Sequence, residues 1–109
     1  MSDSIFKKEN LFEIFVGLKD KDSYEELFTV EDFKNILSEI CIENQISFSL
    51  LTQLGGYTHN KGYTTETSLR IIIIGITEEE ATMLGKKLKE RVNTDTILTT
   101  KSEIECCYI

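Results

Sequence analysis

The sequence lacks proline and tryptophan and has only one histidine and three cysteines among its 109 residues. The cysteines, Cys41, Cys106 and Cys107, are odd in number and two are adjacent, which argues against a disulfide framework. Because no CxxC pair is present and His59 is the only histidine, a structural zinc site lacks ligands. Free thiols are typical of a reducing compartment, so we expect a cytoplasmic protein. Because ligands for a metal are scarce, we also expect no metal, and we expect no cofactor.

Long apolar segments are also missing. The longest apolar run, Ile71 to Ile74, is far shorter than the roughly 20 residues of a membrane helix. The first ten residues contain no apolar segment of the kind found in signal peptides. We therefore expect a flexible N-terminus over residues 1–10 and a single α+β domain over residues 11–109, a normal length for one compact domain.

Basic side chains are scarce relative to acidic ones. Nineteen acidic residues against twelve basic residues give a net charge of -7. Binding to nucleic acid requires a basic surface, and attraction to an anionic membrane requires positive charge as well. The charge balance therefore argues against direct nucleic-acid binding and against membrane binding.

Hydrophobic periodicity predicts four strands. The first, over residues 11–18, and the third, over residues 65–76, are apolar on both faces, which is typical of central strands. The second, over residues 46–52, and the fourth, over residues 96–109, alternate with polar residues, as edge strands do.

Two helices are predicted between these strands. Thr29 and Thr77 are suitable N-cap residues, and the helices that follow are expected to end at Asn44 and Asn93. Cys41 continues the apolar stripe of the first helix and is expected to be buried. The order βαββαβ with central first and third strands predicts a ferredoxin-like fold, in which both helices cover one face of a four-stranded antiparallel sheet.

The acidic excess is concentrated between residues 20 and 43, where eight acidic side chains stand against two basic ones. This segment covers the loop after the first strand and the solvent side of the first helix. Such a field attracts basic protein surfaces, although solubility alone also explains most acidic helix faces. The residues assigned to partner binding are Asp20, Asp22, Glu25, Glu26, Glu31, Asp32 and Glu39.

A hairpin connection predicted over residues 56–63 is the alternative contact surface, with Gly55-Gly56 interrupting the strand before it. Exposed aromatic side chains on loops are common recognition elements. A purely structural hairpin, with Tyr57 and Tyr63 paired across the strands and His59 solvated, explains the same residues. The partner-binding residues assigned here are Tyr57, His59, Lys61 and Tyr63.

Recognisable catalytic motifs are missing. The sequence has no nucleophile elbow, no zinc-protease motif and no phosphate-binding glycine loop. The thiols of Cys106 and Cys107 are expected on opposite faces of a strand, which disfavours joint binding of one ion. We therefore assign no catalytic residues.

The segment Leu11 to Leu18, together with Gly55-Gly56-Tyr57 and Gly62-Tyr63, resembles small uncharacterised single-domain proteins of Gram-positive bacteria and their mobile elements. These shared motifs are structural. The resemblance implies no activity and no site residue.

Size, charge and the lack of catalytic motifs predict a small acidic interaction protein without enzymatic activity. By analogy of size and charge, we expect a phage or mobile-element inhibitor of the anti-CRISPR kind, covering a basic nucleic-acid-binding surface of a partner protein. The alternative is a small cofactor-free enzyme or ligand-binding protein on a dimeric ferredoxin-like sheet, so a homodimer is also considered.

Overall fold

The computed structural model describes residues 4–109, apart from the side chains of Tyr57 and His59. Strands and helices follow one another in the order βαββαβ. They are β1 (Lys7–Gly17), α1 (Val30–Glu43), β2 (Ser49–His59), β3 (Gly62–Ile74), α2 (Glu78–Val92) and β4 (Leu98–Cys106). In this part of the chain, no helix is both long and apolar enough to cross a membrane.

The four strands form one antiparallel sheet in the order β2-β3-β1-β4. The two central strands are paired so that Ile14 lies opposite Ile71. These are the two strands whose continuous apolar residues predicted a central position, and the side chains on their helix-covered face are buried, whereas most of those on the other face are only partly covered. The ferredoxin-like α+β fold predicted from the sequence is confirmed.

Both helices begin where the sequence predicted. Thr29 and Thr77 each accept a hydrogen bond from the backbone N–H three residues later, and each forms a capping box. Asn44 and Asn93 are the C-caps, and Asn93 has the left-handed conformation (φ 49°) that ends many helices. These ends are set by local hydrogen bonds, which is why the sequence predicted them well.

The core lies between the two helices and one face of the sheet. Alternation along each strand directs every second side chain of β1 and β3 towards the helices. Cys41 of α1 is buried here as an unpaired thiol, as predicted. The buried residues of this core include Ile14, Val16, Phe33, Leu37, Ile40, Leu69, Ile71, Ile73, Leu84, Leu88 and Val92.

The sheet differs from the sequence prediction mainly in strand length. β1 begins at Lys7 rather than at residue 11, because residues 7–10 pair with β4 from Cys106 to Glu103. Apolar periodicity missed this part because its side chains are largely polar. β4 ends at Cys106, so the placement of Cys107 on the opposite strand face stays a prediction.

The hairpin between β2 and β3 is much longer than predicted. Gly55-Gly56 does not interrupt β2, because both residues pair with β3. The ring of Tyr63 lies over Gly56, where an added Cβ would overlap its hydroxyl group. The turn itself contains only Asn60 and Lys61. Glycine here makes room for a neighbouring side chain rather than ending the strand.

Candidate functional site

A cleft opens where β1 ends and the chain turns away from the sheet. It has a volume of about 310 Å³ and lies between the loop after β1, the middle of β3 and the segment after α2. Clefts of this size are typical of ligand sites, and the walls of this one consist mainly of polar and charged residues. The cleft is lined by Gly17, Lys19, Asp20, Lys21, Tyr24, Glu66, Thr94, Asp95 and Thr96.

Glu66 reaches into this cleft from β3. Its carboxylate lies against Gly17, in the space that a side chain at position 17 would fill. There, its Oε2 accepts a hydrogen bond from the backbone N–H of Lys19 at 3.0 Å. The side chain is therefore held in one position by the main chain of the neighbouring segment, while Oε1 does not take part in that bond.

Asp20 also lines this cleft. Its carboxylate is buried and accepts hydrogen bonds from Asn93 Nδ2 at 2.6 Å and from the backbone N–H groups of Asp22 and Ser23 at 3.0 and 2.9 Å. The Asn93 bond, followed by the Ser23 bond, holds the pKa of Asp20 below its ordinary value. An ionised Asp20 thus ties the loop after β1 to the end of α2.

The loop after β1 also contacts the β2–β3 hairpin. Lys19 Nζ donates a hydrogen bond to Thr64 Oγ1 at 2.8 Å, and Lys61 Nζ lies 5.8 Å from the centre of the Tyr24 ring. Tyr24 has a positive φ of 60°, an unfavourable backbone conformation for a tyrosine that often marks functional segments. The acidic loop and the hairpin, considered as alternative surfaces from the sequence, therefore meet beside this cleft.

The structure gives several of the predicted acidic contact residues internal partners. Asp20 is turned inward, so it does not belong to an exposed acidic surface. Glu26 accepts hydrogen bonds from the backbone N–H and hydroxyl group of Thr67 at 2.6 and 3.3 Å. Asp22 accepts a hydrogen bond from Asn93 Nδ2 at 3.1 Å, and Asp22, Glu25 and Glu26 all remain exposed. Asp20, Asp22 and Glu26 therefore help to fix the loop, and only Asp20 is withdrawn from solvent.

The acidic residues of α1 also have partners within the chain but remain exposed. Asp32 belongs to the N-terminal capping box, and its hydrogen bond from the Thr29 backbone N–H lowers its pKa. Glu31 lies 3.6 Å from Lys34, and Glu39 lies 3.3 Å from Arg91 of α2. Exposed pairs of this type contribute little to stability. The partner-binding role assigned to these residues stays a prediction.

The backbone pairing of the hairpin differs from the pairing that the purely structural interpretation of the sequence assumed. The side chains of Tyr57 and His59 lie outside the described residues. The backbone register pairs Tyr57 with Thr64, and Thr58 with Tyr63, so the two tyrosines are not cross-strand partners. Tyr63 is largely exposed.

Sequence reasoning missed Glu66, Asp95 and the role of Lys19. The single available signal was Gly17, a small residue inside an otherwise apolar strand, which indicates close approach of another group. Which group approaches is decided by strand register, because Lys19 and Glu66 are 47 residues apart. Among the described residues, no cluster of histidine, cysteine and carboxylate side chains is arranged to hold a metal ion.

The fold and this cleft define a ferredoxin-like α+β protein with a polar pocket at one end of its central strands. No family model matches the chain, and no curated protein resembles it. Among solved structures, it is similar to a phage SAM lyase in complex with S-methyl-5'-thioadenosine, with 28% identity, coverage of 92% of this chain and 90% of the lyase, and a TM-score of 0.66. A phage SAM lyase in its apo state is 26% identical, with coverage of 99% of this chain and 94% of the lyase and a TM-score of 0.70.

More distant similarities concern the fold alone. CutA1 from Oryza sativa is 16% identical, with coverage of 93% of this chain and 84% of that chain and a TM-score of 0.61. CPII, a nitrogen regulatory PII-like protein from Thiomonas intermedia K12 bound to ADP, AMP and bicarbonate, is 11% identical, with coverage of 93% and 97% and a TM-score of 0.55.

These similarities correct the functional prediction. The expected non-enzymatic inhibitor of the anti-CRISPR kind is wrong, because the structures that share 26–28% identity over nearly the whole chain are those of an enzyme. The alternative, a small enzyme on a ferredoxin-like sheet, agrees with them better. The prediction failed because it required a recognisable catalytic motif, and fold and charge alone do not determine activity.

Proposed function

We propose that this protein is a lyase that cleaves S-adenosylmethionine and releases S-methyl-5'-thioadenosine. The observation that carries this proposal is the similarity to phage SAM lyase over at least nine-tenths of both chains. The cleft beside Glu66 supports it, because a nucleoside bearing an amino acid requires a concave site with several polar groups.

The product defines which bond breaks. S-methyl-5'-thioadenosine keeps the methyl and adenosyl groups, so the bond lost is that between the sulfonium sulfur and Cγ of the methionine part. The electron pair of this bond stays on sulfur, which becomes a neutral thioether. In a reaction without water, a carboxylate oxygen of the same substrate bonds to Cγ, and the four-carbon fragment leaves as a lactone.

This reaction requires little from the protein beyond orientation. The nucleophile and the leaving group belong to one molecule, so holding them in line lowers the barrier. Opposite charges on carboxylate and sulfonium disappear together, and a site that excludes water favours such a loss of charge. No nucleophilic side chain, metal or general base is needed, which fits a sequence without catalytic motifs.

Within the cleft, the carboxylates of Glu66 and Asp95 are suited to accept hydrogen bonds from the ribose hydroxyl groups or the substrate ammonium group. Glu66 is the better positioned of the two, since the Lys19 backbone N–H already orients it. Lys19 and Lys21 add positive charge that suits the substrate carboxylate. We assign Glu66 a substrate-binding role on this basis.

The direct test is incubation of the purified chain with S-adenosylmethionine, followed by mass spectrometry of the products. We expect S-methyl-5'-thioadenosine and the lactone in equal amounts. Reaction in H₂¹⁸O distinguishes the lyase from a hydrolase. Water attack at Cγ places ¹⁸O in the product hydroxyl group, whereas opening of a lactone at its carbonyl places it in the carboxyl group.

A matched pair of variants tests whether the substrate binds in the cleft beside Glu66. Glu66→Gln removes the charge in the cleft, and we expect at least a tenfold loss of kcat/KM. Glu43→Gln makes the same chemical change at an exposed position at the end of α1, and its activity should equal that of the wild type. Folded protein that forms no S-methyl-5'-thioadenosine above the spontaneous rate would overturn the proposal.

We propose a cytoplasmic location for this activity, since the three cysteines are free thiols. Self-association as a homodimer also belongs to this proposal, as does the absence of direct nucleic-acid binding. Binding of a basic protein surface stays a prediction from the charge pattern.

A further inference from the structure

A second cleft lies at the far end of β1 from the candidate site. It has a volume of about 410 Å³, within the range of small-molecule sites. The eleven residues of β1 separate it from Gly17 by about 33 Å. Among the described residues, the two clefts share no lining residue. The second cleft is lined by Ile5, Lys7, Glu9, Cys106, Cys107 and Tyr108.

Two adjacent cysteines thus line the same cleft. Side chains alternate between opposite faces only within a strand, and β4 ends at Cys106, so Cys107 lies beyond the part that alternation fixes. Both cysteines are free and half-buried, whereas Cys41 is buried in the core. A small reagent can therefore reach the adjacent pair while the third thiol stays shielded.

A disulfide between neighbouring residues is strained. Their Cα atoms are held about 3.8 Å apart by a trans peptide, whereas stable disulfides usually join Cα atoms about 4.4–6.8 Å apart. Strain makes such a bond easier to reduce, and easily reduced disulfides are typical of reversible thiol chemistry. The pair is therefore suited to a reversible modification rather than to a permanent cross-link.

We propose that Cys106 and Cys107 form a modification site for small disulfides of peptide-like thiols. One cysteine thiolate attacks a sulfur of the small disulfide, which gives a mixed disulfide and releases one small thiol. The neighbouring thiolate then attacks the protein sulfur of the mixed disulfide and releases the second small thiol. The protein dithiol is oxidised to a disulfide, the reagent is reduced to two thiols, and the two protons pass from the protein to these thiols.

The other lining residues suit such a reagent. Lys7 lies directly opposite Cys106 in the sheet, and residues in this relation have Cβ atoms about 4.5–5.5 Å apart. Its positive charge favours the carboxylates of a peptide-like thiol. Ile5 and Tyr108 are largely exposed and offer apolar contact area. This site does not depend on the lyase proposal.

The test uses oxidised glutathione as the probe. The reduced full-length chain is incubated with it at pH 8, the remaining thiols are alkylated after unfolding, and the masses of the intact chain and its peptides are measured. We expect the wild type to lose two hydrogen atoms, to keep no glutathione and to be alkylated at Cys41 alone. Excess reduced glutathione should restore the starting mass.

Single substitutions separate the two steps. Cys106→Ser and Cys107→Ser should each keep one glutathione, because no neighbouring thiol can release it. Cys41→Ala is the matched control and should react as the wild type does. A wild type that keeps glutathione, does not react while folded, or forms a disulfide between two chains would overturn the proposal. The measurement uses no S-adenosylmethionine, so its failure is distinguishable from failure of the lyase assay.

Discussion

Glu66 lies over Gly17. The carboxylate of this β3 residue fills the space beside the last residue of β1 and accepts a hydrogen bond from the backbone N–H of Lys19 at 3.0 Å. Because Gly17 lacks a side chain, the chain after β1 can run close to β3, and a negative charge is held at the mouth of the cleft. The contact between Glu66 and Gly17 therefore links the end of β1 and the loop after it to the candidate site.

Gly17→Ala should therefore displace Glu66. An added Cβ overlaps the carboxylate, so either the side chain leaves its position or the strand shifts. The displaced atoms are the far end of a flexible side chain, so we expect a loss of only about 1 kcal/mol in the free energy of unfolding, the contribution of the hydrogen bond to Lys19, together with reduced cleavage of S-adenosylmethionine. Urea denaturation and the product assay measure the two effects.

Gly85→Ala is the control for this substitution. Gly85 lies within α2, and an added Cβ is no closer than 3.9 Å to Thr99 Oγ1. Alanine is favoured over glycine in a helix by about 0.5–1 kcal/mol, so this variant should be more stable and equally active. Similar destabilisation by both substitutions would contradict a specific role for Gly17.

The buried carboxylate of Asp20 predicts a pH dependence. Its folded-state pKa lies below the ordinary value of 3.8 because Asn93 and Ser23 donate hydrogen bonds to the ionised form. The stabilisation is fully present above pH 3.8 and is lost as the pH falls through the lowered pKa. The stability difference between wild type and Asp20→Asn should therefore shrink as the pH is lowered from 5 to 2. An unchanged difference over this interval would argue against the prediction.

The N-cap hydrogen bonds of both helices should contribute to the stability of the fold. Thr29→Ala and Thr77→Ala each remove a side-chain acceptor for a backbone N–H at 3.0 and 3.1 Å. Each should lower the free energy of unfolding by about 1 kcal/mol. Thr→Ser at either position keeps the acceptor and should recover most of the loss, as measured by thermal or urea unfolding.

The thiol of Cys41 should be unreactive in the folded protein. It is only 1% exposed, and burial raises its pKa to about 11, so almost no thiolate forms at pH 8. Labelling with a thiol reagent at pH 8 should modify fewer than three sites, and unfolding in urea should make all three react. Cys41→Ala should abolish the site that becomes reactive only on unfolding. Rapid labelling of Cys41 in the native state would show that the core assignment is wrong.

The sequence by itself determined the elements and their order. Apolar stripes with helical or strand periodicity identified α1, α2 and the central strands, and the threonine caps set where the helices begin. Two-faced apolar patterns placed β1 and β3 at the centre of the sheet. These signals are local, because each depends on residues close together in the chain.

The tertiary structure decided the rest. The tertiary fold brought Glu66 next to Gly17 and Lys19 and turned Asp20 inward to Asn93. These contacts join residues tens of positions apart, and local patterns carry no information about which distant side chains meet. A cleft assembled from such contacts leaves no motif in the sequence, and for this reason only comparison of the whole fold revealed the similarity to an enzyme.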